Sequence, residues 1–361
     1  MNTIGQTIRA TFFGESHGSA LGIVLDGLPA GIVLDETRIQ NALTLRRPKS
    51  MYSTSRSEPD NYEILSGLYE GKTTGAALTF LIRNQNTISA DYSALVGRPR
   101  PSHADYPAHV KYEGFNDPRG GGIFSGRLTA LWVIAGAIAM QLLEEQGIFV
   151  GSHIRRLANI EDDGFDFVHV QGTTLQRLSQ SEFPLLNPRV EPLMKAAILE
   201  AKEEMDSVGG VVETAVTGLQ PGLGSPLFDS IESRIASLLF DVPSIKGIEF
   251  GTGFPITQMR GSSANDPYQL VEGKIQTKTN HNGGILGGMT TGMPLVFRVA
   301  VKPTPSIGKP QTTVNLQTMK EETLEIKGRH DPAIVNRVVH VINAVTAFGI
   351  LDLILSSPKA R

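Results

Sequence analysis

Two stretches of this sequence are apolar almost all the way round a helical wheel, and any fold must bury both. The first covers 127–146, with its most apolar part at 128–143. The second covers 333–355 and carries Ile334, Val338, Val341, Ile342, Val345, Leu351 and Leu355. A helix that is apolar on every side belongs in a protein core or in a bilayer. The sixteen residues of 128–143, closed by Glu144-Glu145, fall short of the roughly 20 needed to cross hydrocarbon. The expectation is therefore two buried helices with the rest of the chain wrapped around them. At 361 residues and 40% hydrophobic, the chain is large enough to enclose such a core.

The segments between them read as strands, turns and shorter helices. Gly14-Glu15-Ser16-His17-Gly18 separates the β-type runs 8–13 and 21–26. It puts a carboxylate, a hydroxyl and an imidazole into one tight corner. Alone, the corner reads as a solvated turn or as the Gly-x-Ser-x-Gly nucleophile elbow of a serine hydrolase. The elbow requires a helix after its serine, and a strand follows here. Asp35 is placed to cap a helix over 36–45. Arg46-Arg47-Pro48-Lys49 at its end either complements the helix dipole or clamps an anion. Strands are expected at 63–69 and 76–82. Gly71-Lys72-Thr73 between them is not a P-loop, because Ser66 stands where that motif needs glycine.

The stretch 83–124 has little periodicity, which marks a functional or disordered loop. It holds His103 and Asp105, a functional pair or a surface turn, and then Gly120-Gly121-Gly122. Ser125 can cap the first apolar helix. Arg127, in its first turn, opposes the dipole and points to an anion at that end. A strand is expected at 148–154, an irregular peripheral excursion at 155–189 and a helix at 191–206. Leu28-Pro29-Ala30-Gly31 is echoed by Leu219-Gln220-Pro221-Gly222, each followed by a helix, 36–45 and 226–240. One domain with two related halves, about 1–150 and 190–361, is the reading. Four glycines at 283–288, and Lys302-Pro303-Thr304-Pro305-Ser306 after a strand at 295–301, fit a cradle for phosphate or a flat ring, or a rigid hairpin. Asp331-Pro332 reads as the cap and first residue of the last helix.

Composition narrows the function. The net charge of −3 lacks the basic surface of a nucleic-acid binder. Zero cysteines exclude disulfides and thiolate chemistry and agree with a cytoplasmic setting. No signal peptide, membrane span or metal site is expected. No Gly-x-Gly-x-x-Gly occurs, which argues against a Rossmann domain. A non-catalytic nucleotide-binding sensor stays open. So does acid–base chemistry on a polyanion, with histidines moving protons and arginines holding phosphate or carboxylate.

Taken together these segments closely resemble the chorismate synthase family. The match lies in 14–18, 46–48, Ser57-Glu58-Pro59-Asp60, 100–106, 119–122, 283–288, 302–307 and 328–332, in family order over nearly the whole chain. The resemblance implies an α+β fold, a β-α-β sandwich of two antiparallel sheets flanking a helical layer, in a homotetramer. It implies a lyase that converts 5-enolpyruvylshikimate 3-phosphate to chorismate and phosphate by 1,4-anti elimination, with reduced FMN and no net redox change. By the same resemblance His17 protonates the reduced flavin, His103 helps phosphate leave, and Asp331 is tied to proton removal through the flavin. Ser125, Gly287, Lys302, Pro303, Thr304, Pro305, Ser306 and Arg329 are implied to line flavin or substrate. Arg46, Arg47 and Arg127 are implied to hold substrate, with Arg46 also linked to NADPH in some members. Without a recognisable nucleotide fold, flavin reduced by a separate reductase is expected. The chain departs from the family where Ile123-Phe124-Ser125 replaces a common Arg-Ser-Ser, where Leu128 replaces a glutamate, and in a shorter loop after Pro48.

Overall fold

The structure, a computed structural model, describes residues 2–48, 58–85, 95–326 and 330–357. The chain begins with strands β1 (Thr3–Ile4), β2 (Arg9–Gly14) and β3 (Ala20–Asp26), then helix α1 (Glu36–Arg46). Next come β4 (Tyr62–Ser66), a small hairpin of β5 (Leu68–Tyr69) and β6 (Lys72–Thr73), and β7 (Leu78–Arg83). A long connection carrying α2 (Asp105–Lys111) leads into α3 (Thr129–Glu144). The Asp35 side chain caps α1 by accepting from the Arg38 amide at 2.9 Å. Strand β7 alternates, with Leu78, Phe80 and Ile82 inward, as a sheet with one covered face requires.

The remaining elements are β8 (Phe149–Leu157), β9 (Ile160–Glu161), α4 (Gly172–Gln180), α5 (Glu191–Glu203), β10 (Gly210–Thr217), α6 (Ile231–Phe240) and β11 (Ile245–Phe250). A short helix α7 (Gly261–Ala264) and a ribbon of β12 (Tyr268–Val271) and β13 (Lys274–Thr277) follow. Then come a hairpin of β14 (Ile285–Leu286) and β15 (Met289–Thr290), β16 (Leu295–Val301), the pair β17 (Gln311–Asn315) and β18 (Lys320–Leu324), and α8 (Val335–Ser356). The fold is mixed helix and strand, with antiparallel pairing in every named sheet. The two large sheets run β1-β2-β3-β7-β4 and β9-β8-β10-β16-β11. The runs β2-β3-β7-β4 and β8-β10-β16-β11 have the same order; the remaining edge strand precedes its neighbour in the first sheet and follows it in the second.

The echo extends to single hydrogen bonds. Thr73 Oγ1 donates to the Pro29 carbonyl and accepts from the Ile32 amide, while Gly31 donates to the Thr73 carbonyl. Thr290 does the same with the Gln220 carbonyl, the Leu223 amide and the Gly222 amide. Gly31 and Gly222 both have φ of +87°, a turn conformation that disfavours a side chain. Thus Thr73, in the segment that superficially resembles a P-loop, is a turn clamp.

The core is organised around α3 and α8, which pack on each other; α8 also packs on β8 and β10, and α3 on β3. They cross where Gly136 meets Ala344, so closely that a Cβ on Gly136 would overlap the Ala344 backbone. Trp132 and Phe348 meet edge-on with centroids 5.4 Å apart. By length and composition Gly126–Glu144 and Val335–Ser356 could each cross a membrane, and the first is longer than the sixteen residues counted from sequence. Their most apolar windows are 72% and 89% buried inside the protein, which accounts for their composition.

Three local expectations are corrected. The 155–189 excursion is not irregular throughout: its α4 covers the outer face of the second sheet, with Leu175 and Leu178 packed among Phe165, Ala215 and Val296. The connection 83–124 contains α2. The last helix starts at Val335 and not beside Pro332, because the incoming chain pairs Ala333 with Val208. Asp331 therefore does not cap it, and its carboxylate goes to Arg337.

Candidate functional site

The C-terminal ends of α1 and α6 and the N-terminal ends of α3 and α8 converge on a cavity of about 730 Å³. Each large sheet thus contributes the same pair of helix ends. The connection after β7 and the segment after β16 close the sides. Its volume is within the range of sites that hold small ligands.

The first-half wall is cationic. Arg46 ends α1, and Arg127 lies in a 3-10 turn capped by Ser125, whose hydroxyl accepts from the Arg127 amide at 3.2 Å. Between them sits Asp60, 1% exposed and held at φ of +52°. One of its oxygens accepts from Arg46 Nη2 at 2.6 Å, the other from Arg127 Nη1, and Arg47 Nε lies 3.6 Å away. Burial alone would raise the Asp60 carboxyl, but Arg46 and Arg127 outweigh it and hold it below the usual range. Three guanidiniums thus share one carboxylate. Among the described residues, Arg46 Nε, Arg47 Nη2 and Arg127 Nη2 are buried without a hydrogen-bond partner. Such a surplus of buried cation is a site for a polyanion.

His103 lies on the next wall. Its Nδ1 is 2.6 Å from Asp105 Oδ1, and Arg100 grips the same carboxylate through Nε and Nη2, both at 2.8 Å. Burial opposes ionisation of Asp105, but these bonds outweigh it and keep the carboxyl well below its usual range. Lys302 donates from Nζ to the Ser102 carbonyl at 2.6 Å, tying the end of β16 to the histidine turn. Burial, then the neighbouring Lys246, pulls the Lys302 ammonium down.

His17 is 5% exposed, with Nδ1 3.1 Å from the Ser16 hydroxyl. It does not line the cavity. The three-glycine strip runs between it and His103: a Cβ on Gly120 would overlap the His17 ring, and one on Gly121 would lie 3.3 Å from His103 Cε1. Only glycine allows the backbone to pass both imidazoles. The corner is therefore a buried one, not a solvated turn. Gly14 serves its hairpin, since a side chain there would strike the Ala20 carbonyl.

On the second-half wall, Asp331 is paired through Oδ2 with Arg337, while its buried Oδ1 has no partner among the described residues. Burial, then the repulsion of Arg46, pulls the Arg337 guanidinium down. Ile334, Val338 and Val341 give an apolar floor, and Ile123 and Phe124 also line the cavity.

Of the residues singled out from sequence, Arg46, Arg47, His103, Ser125, Arg127, Lys302, Thr304, Pro305, Ser306 and Asp331 line this one cavity. Pro303 turns away and would touch a Cβ on Gly209. Gly287 is not brought to it. It tips the β14–β15 hairpin, whose Gly288 carbonyl accepts from Ile231 at the start of α6, whereas the cavity is at the far end of that ten-residue helix, about 15 Å on. The rigid-hairpin reading describes that segment here. Arg329 lies outside the described residues. Sequence reasoning gave no role to Asp60, Arg337 or Lys246. An arginine two residues into an apolar helix was the available signal for Arg337.

A family model described as chorismate synthase matches residues 8–355. The chain is 45% identical over 358 residues to the chorismate synthase of Korarchaeum cryptofilum, covering 98% of both chains. It is 45% identical over 353 residues to that of Pyrococcus abyssi, covering 97% of both. A solved structure titled crystal structure of chorismate synthase superimposes with a TM-score of 0.76 at 30% identity, over 98% of this chain and 93% of that one. By this family model and these full-length relatives, the chain belongs to the chorismate synthase family.

Proposed function

We propose that the cavity eliminates phosphate from 5-enolpyruvylshikimate 3-phosphate to give chorismate, the last step of the shikimate pathway, with FMN in its reduced form. The observation that carries the reading is the buried group of Arg46, Arg47 and Arg127 around Asp60, which leaves cationic charge for a phosphate and carboxylates beside His103. These arginines bind and orient the substrate. His103 gives a proton through Nε2 to the leaving phosphate oxygen as the C–O bond breaks. Asp331, with one oxygen held by Arg337 and the other unpaired, is placed to hold the proton lost from the ring carbon.

The residues present fit a flavin. The unpaired Thr304 hydroxyl and the Lys302 ammonium offer polar contacts, and Ile334, Val338 and Val341 with Phe124 offer an apolar wall for a flat ring. When bound, reduced FMN supplies transient electron density that helps the phosphate depart. His17, behind Gly120, stabilises the charge of that ring through its own proton. We propose a separate reductase as the flavin's electron source, with NADPH the alternative.

The finer architecture is a β-α-β sandwich, supported by α3 and α8 packing on strands of different sheets, and the two like-ordered sheets are read as a duplicated unit. A cytoplasmic homotetramer completes the proposal.

Anaerobic chorismate formation with chemically reduced FMN, compared with FMN plus NADPH, tests the reading. Product with reduced FMN alone supports both the reaction and the need for a separate reductase. Product in neither mixture overturns it in favour of a flavin-binding sensor.

A further inference from the structure

We infer that Asp105 is a positioning residue for His103: it holds the proton on Nδ1 and so makes Nε2 the nitrogen that serves the leaving phosphate. This rests on the elimination proposed above. The distance of 2.6 Å between His103 Nδ1 and Asp105 Oδ1 requires a proton between them, since two lone pairs at that separation would repel. That proton resides on the imidazole. Asp105 Oδ2 already accepts from the Arg100 backbone amide at 2.9 Å and from Nε at 2.8 Å, and Oδ1 accepts from Nη2 at 2.8 Å. A carboxylate with three such donors is ionised, and an ionised carboxylate fixes the tautomer of the histidine it touches. Arg100 Nη2 also lies 3.2 Å from Nδ1. That contact cannot be an Arg-to-His hydrogen bond while Nδ1 carries its proton, so Arg100 acts on the carboxylate.

The arrangement has a direction. With Nδ1 held, the other ring nitrogen faces the glycine strip, 3.5 Å from where a Cβ on Gly121 would stand, at the cavity wall. Among the described residues, Arg100 and Asp105 on its own turn, Lys302 at the end of β16 and His17 beyond the glycines are the nearest titratable groups, and Arg46, Arg47, Glu58, Arg127, Lys246, His330, Asp331 and Arg337 line the same cavity. Among the described residues, Asp105 is the carboxylate within ion-pair distance. In the proposed step the Nε2 proton passes to phosphate oxygen as the C–O electron pair leaves with it. The Nδ1 proton stays on nitrogen, and Asp105 remains a carboxylate. Asp105 thus favours the charged imidazole before the step and its correct neutral tautomer after it.

The test is the D105N variant of the full chain, assayed with chemically reduced FMN across neutral pH. An amide keeps the shape, removes the charge and can present N–H to Nδ1, favouring the wrong tautomer. The expected result is a kcat lower by on the order of 100-fold with KM little changed. D105E, which keeps a carboxylate for Nδ1, retains more activity than D105N. A folded D105N with kcat within a few-fold of wild type overturns the inference. Should D105N fail to fold, ring nitrogen NMR of wild type, with His103 assigned by H103Q, decides instead: a protonated Nδ1 supports the inference, and a bare Nδ1 overturns it. A wild-type chain inactive with reduced FMN overturns the reaction itself, whereas an active wild type with an unaffected D105N overturns the role of Asp105 alone.

Discussion

Replacing Asp60 by asparagine keeps the side chain's shape and removes the carboxylate that Arg46, Arg47 and Arg127 share. At charge separations near 4 Å and an effective dielectric of about 20, each close guanidinium attracts the carboxylate by roughly 4 kcal/mol. Taking the carboxylate out of water offsets several kcal/mol of this. D60N also leaves the buried guanidiniums repelling one another without the carboxylate between them. The net cost expected for breaking such a buried group is about 3–5 kcal/mol, a large part of a typical stability of ~5–15 kcal/mol. Urea denaturation at neutral pH, with and without inorganic phosphate, measures it. An anion in the cavity replaces the lost charge, so phosphate should stabilise D60N more than wild type. The acid side gives a second reading. The Asp60 carboxyl is held below its usual range when folded, so its stabilisation is present above the unfolded value near 3.9 and is lost as pH falls through the folded value. D60N should lack that acid-side dependence. A variant within about 0.5 kcal/mol of wild type, and no more sensitive to phosphate, would refute the account of the cationic wall.

Gly120→Ala forces a Cβ into the His17 ring at a φ of +65°, so elimination should drop by on the order of 100-fold while the fold melts within a few degrees of wild type; full activity would detach His17 from the chemistry. Gly136→Ala should lower stability by about 1–3 kcal/mol in thermal unfolding, because the α3–α8 crossing has no room for a methyl. Buried His153 lies between Asp162 at 2.9 Å and Glu213 at 3.0 Å; burial opposes its charge, but those bonds outweigh it and raise its pKa. Its stabilisation is therefore full below the unfolded histidine value and lost as pH rises through the folded one, and H153Q should remove that alkaline-side loss from the denaturation profile. D331N should abolish chorismate formation while leaving substrate binding, followed by fluorescence titration, within a few-fold.

The helices and both large sheets were readable because their signals are local. Asp35 caps α1 within three residues, β7 alternates strictly, and α3 and α8 are apolar on all sides. The histidines could be placed in braced turns for the same reason. Asp60 could not, because its role is set by arginines 14 and 67 positions away in the chain and by a backbone conformation unusual for aspartate. Asp331 misled in the opposite direction: Asp-Pro has the chemistry of a helix start, but pairing of Ala333 with Val208 delays the helix and frees the carboxylate for Arg337. The glycines at 283–288 look like a ligand cradle, yet Gly283 and Gly284 are fixed by backbone from β11 and the turn before β16, and Gly288 by the entry to α6.

The twice-used Thr73 and Thr290 clamp has a consequence for how this chain can change. Each clamp holds the turn that precedes its own helix, α1 or α6. The cavity is used once, by four helix ends that carry different side chains: Arg46 and Arg127 on one side, Phe240 and Arg337 on the other. Drift at one helix end therefore need not be matched at its counterpart. A symmetric scaffold can in this way hold an asymmetric molecule, with one wall specialised for anions and the facing wall free to become apolar.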